Sequence, residues 1–74
     1  MILNGMERKI LEKLGENLLM RKEEIINFLK NETKNAEEVF YAVMKSLVDK
    51  GFVKYVYAGS ACYAITRKGL RALG

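Results

Sequence analysis

Few residues in this chain could take part in covalent chemistry. The 74 residues include one cysteine, Cys62, and no histidine. Without an imidazole, Cys62 has no evident base to activate it and no partner with which to hold a metal ion. The sequence also shows no glycine-rich phosphate loop and no pair of acids in an apolar setting. We therefore expect no enzyme, no cofactor and no metal site, and we predict that Cys62 is a structural residue.

The basic residues offer a different chemistry, the binding of a polyanion. Residues 1–50 contain nine of the 13 lysines and arginines and all nine acids, so this part is neutral overall. Residues 51–74 contain the other four basic residues and no acid, so the net charge of +4 lies entirely there. These four are Lys54, Arg67, Lys68 and Arg71. A local positive surface favours a polyanion partner, and a charge that merely keeps the protein soluble is the equally simple alternative.

Length and composition limit the class of protein. A half-apolar chain of 74 residues has room for a single small domain, which we expect to span residues 1–74. No apolar run approaches the roughly 18 residues of a membrane span, and the N-terminus has no signal-peptide pattern, so we expect no membrane contact. A single cysteine excludes an internal disulfide and favours the cytoplasm. Abundant lysine and glutamate, with no glutamine, resemble the composition of thermophile proteins.

Three helices are expected in the first 50 residues. Asn4 and Glu7 have the spacing of a capping box, which predicts a first helix over about residues 5–14 that ends at Gly15. The apolar pattern predicts a second helix over about residues 21–31. After a polar turn, Asn35 and Glu38 repeat the capping-box spacing and predict a third helix over about residues 36–50.

The end of the chain predicts a β-hairpin over about residues 52–66. Its two strands are rich in β-branched and aromatic residues, and the small residues of Ala58–Ala61 form the turn. Tyr63 and Ile65 share one face of the second strand and are expected to point at the core. Which face of the first strand is buried stays open. Thr66 can cap a short last helix over about residues 67–73.

Two segments and the order of these elements match a known pattern. Leu47-Val48-Asp49-Lys50-Gly51-Phe52-Val53 and Tyr63-Ala64-Ile65-Thr66-Arg67-Lys68-Gly69 are similar to the segments that open and close the wing of winged helix-turn-helix transcriptional regulators. The chain resembles these regulators in the broad manner of the MarR and PadR groups. The resemblance implies an α+β fold, a winged helix-turn-helix with a three-helix core and a β-hairpin wing. The run Leu18–Met20 would then be the short first strand that pairs with the wing.

The resemblance also implies a small sequence-specific protein that binds double-stranded DNA. In such regulators helix 3 enters the major groove, while the wing and the start of helix 2 hold phosphates. The base-reading candidates carried onto this chain are Thr33, Lys34, Asn35, Glu37, Tyr41, Ala42 and Lys45. The phosphate-binding candidates are Arg21, Lys22, Lys54, Ser60, Arg67 and Lys68.

A homodimer is expected, because palindromic DNA sites suit two-fold symmetry. The long extra helices with which many such regulators dimerise are missing from this chain. The contact would have to come from helix 1, from Leu70 and Leu73, or from the Met1-Ile2-Leu3 start.

Helix 3 departs from the pattern of a strong DNA reader. It holds Glu37 and Glu38 in its first turn and contains no arginine, and the wing tip has no basic residue. Acids in a first turn stabilise a helix by about 0.3–1 kcal/mol each, and Glu37 could also accept a hydrogen bond from a cytosine amino group. The alternative function is therefore a winged-helix protein-interaction module within a larger complex. Its partner would meet helix 3 or the wing, where Tyr55 and Tyr57 share one strand face.

Overall fold

The computed structural model describes residues 3–74. The elements follow the order α1 (Gly5–Asn17), β1 (Leu19–Arg21), α2 (Lys22–Lys30), α3 (Ala36–Asp49), β2 (Val53–Tyr57), β3 (Ala61–Ile65) and α4 (Arg67–Leu73). The strands form an antiparallel sheet in the order β1-β3-β2. The predicted α+β class is confirmed, and this part of the chain is compatible with a winged helix. A dimer contact through Met1 or Ile2 lies outside the described residues.

Helix α1 begins as predicted but ends later than predicted. The Glu7 N–H donates to the Asn4 side chain at 2.8 Å, and the Asn4 N–H donates to the Glu7 carboxylate at 3.0 Å, which completes the capping box. The predicted end at Gly15 is wrong, because the helix continues through Gly15 to Asn17. A Cβ at Gly15 would lie 2.9 Å from Leu73 Cδ1, so this glycine makes room for α4 instead of ending α1.

Strand β1 and helix α2 follow each other without a loop. The short first strand is confirmed, although it covers Leu19–Arg21 and lies one residue later than predicted. It pairs with β3, with Met20 opposite Tyr63. Because Arg21 belongs to this strand, α2 begins at Lys22, and it ends at Lys30 rather than at residue 31.

Helix α3 begins at Ala36 as predicted and ends at Asp49, one residue before the predicted end, but it lacks the predicted cap. The Asn35 side chain makes no capping hydrogen bond, so the second capping box is wrong. The backbone of Asn35 has φ −105° and ψ 49°, whereas an N-cap residue usually has an extended backbone. The Asn35 N–H instead donates to Thr33 Oγ1 at 3.3 Å. Acids at the start of α3 therefore act on the helix through its dipole rather than through a capping box.

The core lies between the three main helices and one face of the sheet. Phe40, Leu29 and Leu47 are fully buried in it. Full burial of such a side chain contributes about 1.5–3 kcal/mol relative to exposure. Tyr63 and Ile65 pack against this core, as predicted. No helix among residues 3–74 is both long and apolar enough to cross a membrane.

The two faces of the hairpin differ, and this answers the question that the sequence left open. Val53 is buried and Tyr55 lies on the same strand face, directly opposite Tyr63 of β3. Lys54 and Val56 therefore lie on the other side of the sheet. We call that side the outer sheet face; its residues are Leu19, Arg21, Lys54, Val56, Cys62 and Ala64.

Helix α4 is fixed to the start of the hairpin. The Thr66 hydroxyl accepts a hydrogen bond from the Gly69 N–H at 3.0 Å, which confirms the predicted cap, and donates to the Gly51 carbonyl at 2.7 Å. The Thr66 N–H also donates to the Phe52 carbonyl at 3.0 Å. Gly51 ends the α3 segment with φ +79°, a conformation that favours glycine. The exit from α3 and the start of α4 are thus held together.

Candidate nucleic-acid interface

Helix α3 turns one face into the core and leaves the other uncovered. Phe40, Val43 and Leu47 point inward, at the spacing expected for one helix face. The predicted base-reading residues on α3 all lie on the uncovered side; these are Glu37, Tyr41, Ala42 and Lys45. In the preceding turn, Lys34 and Asn35 are exposed and Thr33 is half-buried. The structure therefore places the four base-reading candidates of α3 on one side of that helix.

This uncovered side of α3 is acidic. Helix α3 lies wholly within the described residues, and its exposed charges are Glu37, Glu38, Lys45 and Asp49, which sum to −2. The Lys45 ammonium lies 2.9 Å from the Asp49 carboxylate, so the positive charge on this face is already partnered. A duplex that approached α3 would have to draw Lys45 away from Asp49. Exposed pairs of this kind are worth about 1 kcal/mol or less, so the exchange is feasible.

Lys22 and Tyr41 form a polar contact between α2 and α3. The Lys22 ammonium donates to the Tyr41 hydroxyl at 2.7 Å and lies 4.9 Å from the centroid of the Tyr41 ring. It also lies 5.7 Å from the centroid of the Phe40 ring. The hydrogen bond to Tyr41 is the main reason that the pKa of Lys22 is raised above its usual value. Lys22, predicted to hold phosphate, is therefore in direct contact with Tyr41, predicted to read bases.

A groove of about 260 Å³ separates α3 from β2. We call it the tyrosine groove; its lining residues are Tyr41, Met44, Lys45, Val48, Asp49, Tyr55 and Tyr63. Tyr63 stacks edge-to-face on Tyr55 with centroids 5.4 Å apart and on Phe40 at 5.7 Å. Burial, and then the neighbouring Tyr55, raise the pKa of the Tyr63 phenol. The groove is therefore an aromatic surface whose lining also includes two charged side chains, Lys45 and Asp49.

The predicted phosphate-binding residues divide between two sides of the molecule. Lys22 lies beside α3, whereas Arg21 and Lys54 lie on the outer sheet face, on the two strands that flank β3. Arg67 and Lys68 are exposed at the start of α4, at the base of the hairpin. Ser60 is half-buried within the hairpin turn. The structure thus places Lys22 beside the base-reading residues of α3. Arg21 and Lys54 share the outer sheet face but lie on strands separated by β3, so the six candidates do not form one surface.

A buried carboxylate that the sequence did not reveal fixes the position of α3. Glu7 is 3% exposed and accepts hydrogen bonds from the Ser46 hydroxyl and from the Lys50 ammonium at 2.9 Å. Burial raises the pKa of Glu7, but the hydrogen bonds from Ser46, from the Asn4 N–H and from Lys50 outweigh burial and lower it. The capping-box spacing identified Glu7 as a capping residue only. Nothing in the local sequence connects it with residues 39 and 43 positions away.

Sequence reasoning also missed most of the tyrosine groove. Tyr55 and Tyr57 could be placed on one strand face from their alternation, but the approach of that face to α3 needs the packed structure. Tyr41 and Tyr55 remain 59% and 50% exposed, which is high for aromatic side chains in a small protein.

Searches of known family models, of curated proteins and of solved structures find no match for this chain.

Proposed function

We propose that this protein is a small sequence-specific binder of double-stranded DNA, built as a winged helix-turn-helix, that acts as a transcriptional regulator in the cytoplasm. The observation that carries the proposal is the Lys22–Tyr41 contact on the uncovered side of α3. It presents an ammonium and a phenol together at the first turn of α2. A backbone phosphate is the anion that a duplex would bring there.

In this proposal α3 lies in the major groove with Ala42 and Lys45 facing the bases, and Tyr41 lies at the edge of the groove beside Lys22. Lys45 can donate to guanine O6 and N7, and Ala42 can contact a thymine methyl group. Glu37 can accept from the amino group of a cytosine. The residues of the turn, Lys34 and Asn35, follow the same groove at the start of the helix.

Phosphate contacts would then come from both sides of α3. Lys22 holds the phosphate next to Tyr41. Arg67 and Lys68 lie at the start of α4, beyond the other end of α3, and Lys54 lies on the outer sheet face. The three add positive charge in a region without acids. These contacts would position the protein, whereas the side chains of α3 would provide the sequence preference.

A selection from random duplexes, followed by sequencing of the bound fraction, tests the proposal. We expect enrichment of a short motif that contains a guanine for Lys45 and a cytosine for Glu37. The enriched duplexes should bind more tightly than a scrambled control. The Lys45→Ala variant, selected in parallel, should enrich a different motif. If the wild-type protein retains no duplex at low salt, the proposal is wrong.

A second candidate function is a winged-helix protein-interaction module in a larger complex. It is favoured by the charge of −2 on the uncovered face of α3 and by the exposed tyrosines beside it. Native extract passed in parallel over the immobilised protein and over a DNA-affinity column separates the two functions. Recovery of one stoichiometric protein, together with no retention of this chain on DNA, would favour the module.

A further inference from the structure

Strand β2 is an edge strand of the sheet. The order β1-β3-β2 gives it no further neighbouring strand among residues 3–74. The Thr66 N–H donates to the Phe52 carbonyl, which fixes the direction of the backbone groups where the hairpin begins. Because these groups alternate in direction along an antiparallel pair, every second residue of β2 after Phe52 bonds to β3. The N–H and C=O groups of the residues between them point away from the sheet; these residues are Val53, Tyr55 and Tyr57.

Only the second half of this edge is accessible. Val53 is buried, whereas Tyr55 is 50% exposed and Tyr57 is 70% exposed. Edge strands are commonly protected from pairing by a proline, a bulge or charged side chains. Strand β2 has no proline and pairs with β3 without a bulge, and its one charged residue, Lys54, lies on the outer sheet face. We call the segment Tyr55–Tyr57 the free edge.

Duplex binding leaves two features of the hairpin without a role. The tyrosines of the free edge are more exposed than phosphate contacts require. The wing tip, Ala58–Ala61, has no basic side chain with which to enter a minor groove. An edge of exposed aromatic residues beside a tip of small, uncharged residues is better matched to another strand than to a polyanion.

We propose that the free edge pairs with the free edge of a second copy of this chain, in antiparallel orientation, about a two-fold axis between the two copies of Val56. Tyr55 then lies opposite Tyr57 of the second copy, and the two residues exchange N–H···O hydrogen bonds. The axis repeats this exchange on its other side. The two three-stranded sheets become one six-stranded sheet, which is a common size.

The aromatic side chains extend an existing row across this contact. Tyr63 packs edge-to-face on Phe40 with centroids 5.7 Å apart and on Tyr55 at 5.4 Å. Tyr57 of the second copy would lie next to Tyr55 on the same face and become the next ring of the row. Cross-strand aromatic pairs stabilise sheets. The pairing therefore covers both tyrosines that the monomer leaves exposed.

The outer sheet face is also compatible with this register. The two copies of Val56 meet directly at the axis, and β-branched side chains pack well against each other across strands. Lys54 lies opposite Ala58 of the second copy rather than opposite another lysine. The contact therefore places no like charges directly against each other.

The wing tip makes the length of the contact fit. In this register Gly59 of the second copy lies opposite Val53, where the edge becomes buried. The second copy has already left its strand there, because β2 ends at Tyr57 and Gly59 turns the chain with φ +78°. The buried start of β2 therefore does not have to open. A longer strand from an unrelated protein would instead continue into this buried part.

The area of the contact predicts a weak, reversible dimer. A tyrosine side chain has about 200 Å² of surface, so the exposed parts of Tyr55 and Tyr57 in two copies supply about 500 Å². Stable interfaces bury about 1,200 Å² or more in total. We therefore expect a dissociation constant of about 10–500 μM. The contact uses none of the base-reading candidates and needs no nucleic acid, so its test is separate from that of the proposed function.

Sedimentation equilibrium of the full chain without DNA measures the dimer. Val56→Lys and Val56→Glu each place like charges at the axis, and each should raise the dissociation constant by about tenfold or more. An equal mixture of the two variants should regain most of the lost affinity as a heterodimer. Leu19→Lys and Leu19→Glu, on the outer sheet face at the opposite edge of the sheet, are the matched controls and should leave the dimer unchanged. Circular dichroism confirms that each variant is folded.

A cross-linking experiment tests the register without added charge. Val56→Cys is made together with Cys62→Ala, because Cys62 lies opposite Val56 within the hairpin and would otherwise compete for the new thiol. The two Val56 positions form a pair without backbone hydrogen bonds, whose Cα atoms lie about 4.5 Å apart, within reach of a disulfide. We expect a covalent dimer under mild oxidation, whereas Leu19→Cys with Cys62→Ala should stay monomeric.

Two results would overturn the proposal. One is a wild-type protein that stays monomeric up to about 1 mM, because a weaker dimer lies outside the expected range. The other is a dimer that keeps its affinity in both charged variants of Val56, or that gives no cross-link in Val56→Cys, because such a dimer would use another surface.

Discussion

The side-chain nitrogen of Lys22 lies 2.7 Å from the hydroxyl oxygen of Tyr41. Lys22 is the first residue of α2 and Tyr41 lies on the uncovered side of α3, so this hydrogen bond joins the two helices at the surface proposed to meet DNA. The Tyr41 hydroxyl accepts from the ammonium and keeps its own proton available for donation. An anion at this point can therefore receive hydrogen bonds from both residues.

Tyr41→Phe should weaken duplex binding about three- to tenfold, because it removes the hydroxyl and keeps the ring. Lys22→Met should weaken binding at least as much, and the double variant should be no weaker than Lys22→Met alone if the two groups act as a unit. Fluorescence anisotropy with a selected duplex measures all three. Tyr57→Phe, a change at an exposed tyrosine on the hairpin, is the control and should bind like the wild type. Independent, additive losses would contradict a shared phosphate site.

Lys54→Ala and Arg67→Ala should weaken binding to every duplex by a similar factor. Each should also reduce the slope of log affinity against log salt by about 1, since each removes one phosphate contact. Titrations at several salt concentrations with two unrelated duplexes measure both effects. Arg8→Ala on α1 is the matched loss of a surface arginine and should leave the slope unchanged. A slope that stays constant in both test variants would show that neither the base of the hairpin nor α4 contacts the duplex.

Glu7→Gln should lower the free energy of unfolding by about 2 kcal/mol, because the charged acceptor for Ser46 and Lys50 is lost inside the protein. Folding lowers the pKa of Glu7 from its usual 4.5. A carboxyl with a lowered pKa contributes its full stability above the unfolded pKa and loses it as the pH falls through the folded pKa. The gap between wild type and variant should thus be constant near neutral pH and shrink below pH 4.5.

Urea denaturation of both proteins at a series of pH values measures this gap. Glu12→Gln is the control, because Glu12 is exposed and pairs with Arg8 only at 3.8 Å, and it should cost less than about 0.5 kcal/mol. A gap that stays the same down to the lowest pH at which both proteins fold would show that the carboxylate charge is not what stabilises α3 against α1.

Gly69→Ala should destabilise the protein by about 1–3 kcal/mol, because a Cβ there would overlap the Phe52 carbonyl and lie 2.8 Å from Ile65 Cγ1. Gly5→Ala is the same change at a helical glycine with no atom within 4 Å of the new Cβ. It should be neutral or stabilise by about 0.5 kcal/mol. Thermal unfolding of the two variants gives the comparison. Equal midpoints would contradict the close packing of α4 on the hairpin.

Local sequence signals predicted the elements well where a short-range contact sets the structure. The Asn4–Glu7 capping box and the Thr66 cap depend on residues three positions apart, and both are observed. The same reasoning failed at Asn35, whose backbone conformation is set by the turn from α2 rather than by its own spacing to Glu38. It failed again at Gly15, where the demand for a glycine comes from Leu73, far along the chain.

The candidate site was predictable only where local spacing along one helix determines it. Helical spacing placed Tyr41 and Lys45 on the uncovered side of α3, because that side follows from which residues are apolar. The approach of Tyr55 to α3 and the reach of Lys22 to Tyr41 are contacts between elements, and no local pattern encodes them. The separation of Lys54 from Lys22 depends on which face of the first wing strand is buried, which the sequence left open. The separation of Arg21 from Lys22 arises because Arg21 belongs to β1 and not to α2 as predicted.

The most direct test of the account is a titration of a selected duplex with the wild-type protein at 50 and 200 mM salt. If Lys22, Lys54, Arg67 and Lys68 all engage, the slope of log affinity against log salt is about −3.6, which corresponds to about a 150-fold loss between those two concentrations. A smaller but steep loss would mean that fewer of the four engage. No binding at 50 mM, or an affinity that does not change with salt, would contradict the central claim that this surface meets the phosphates of a duplex.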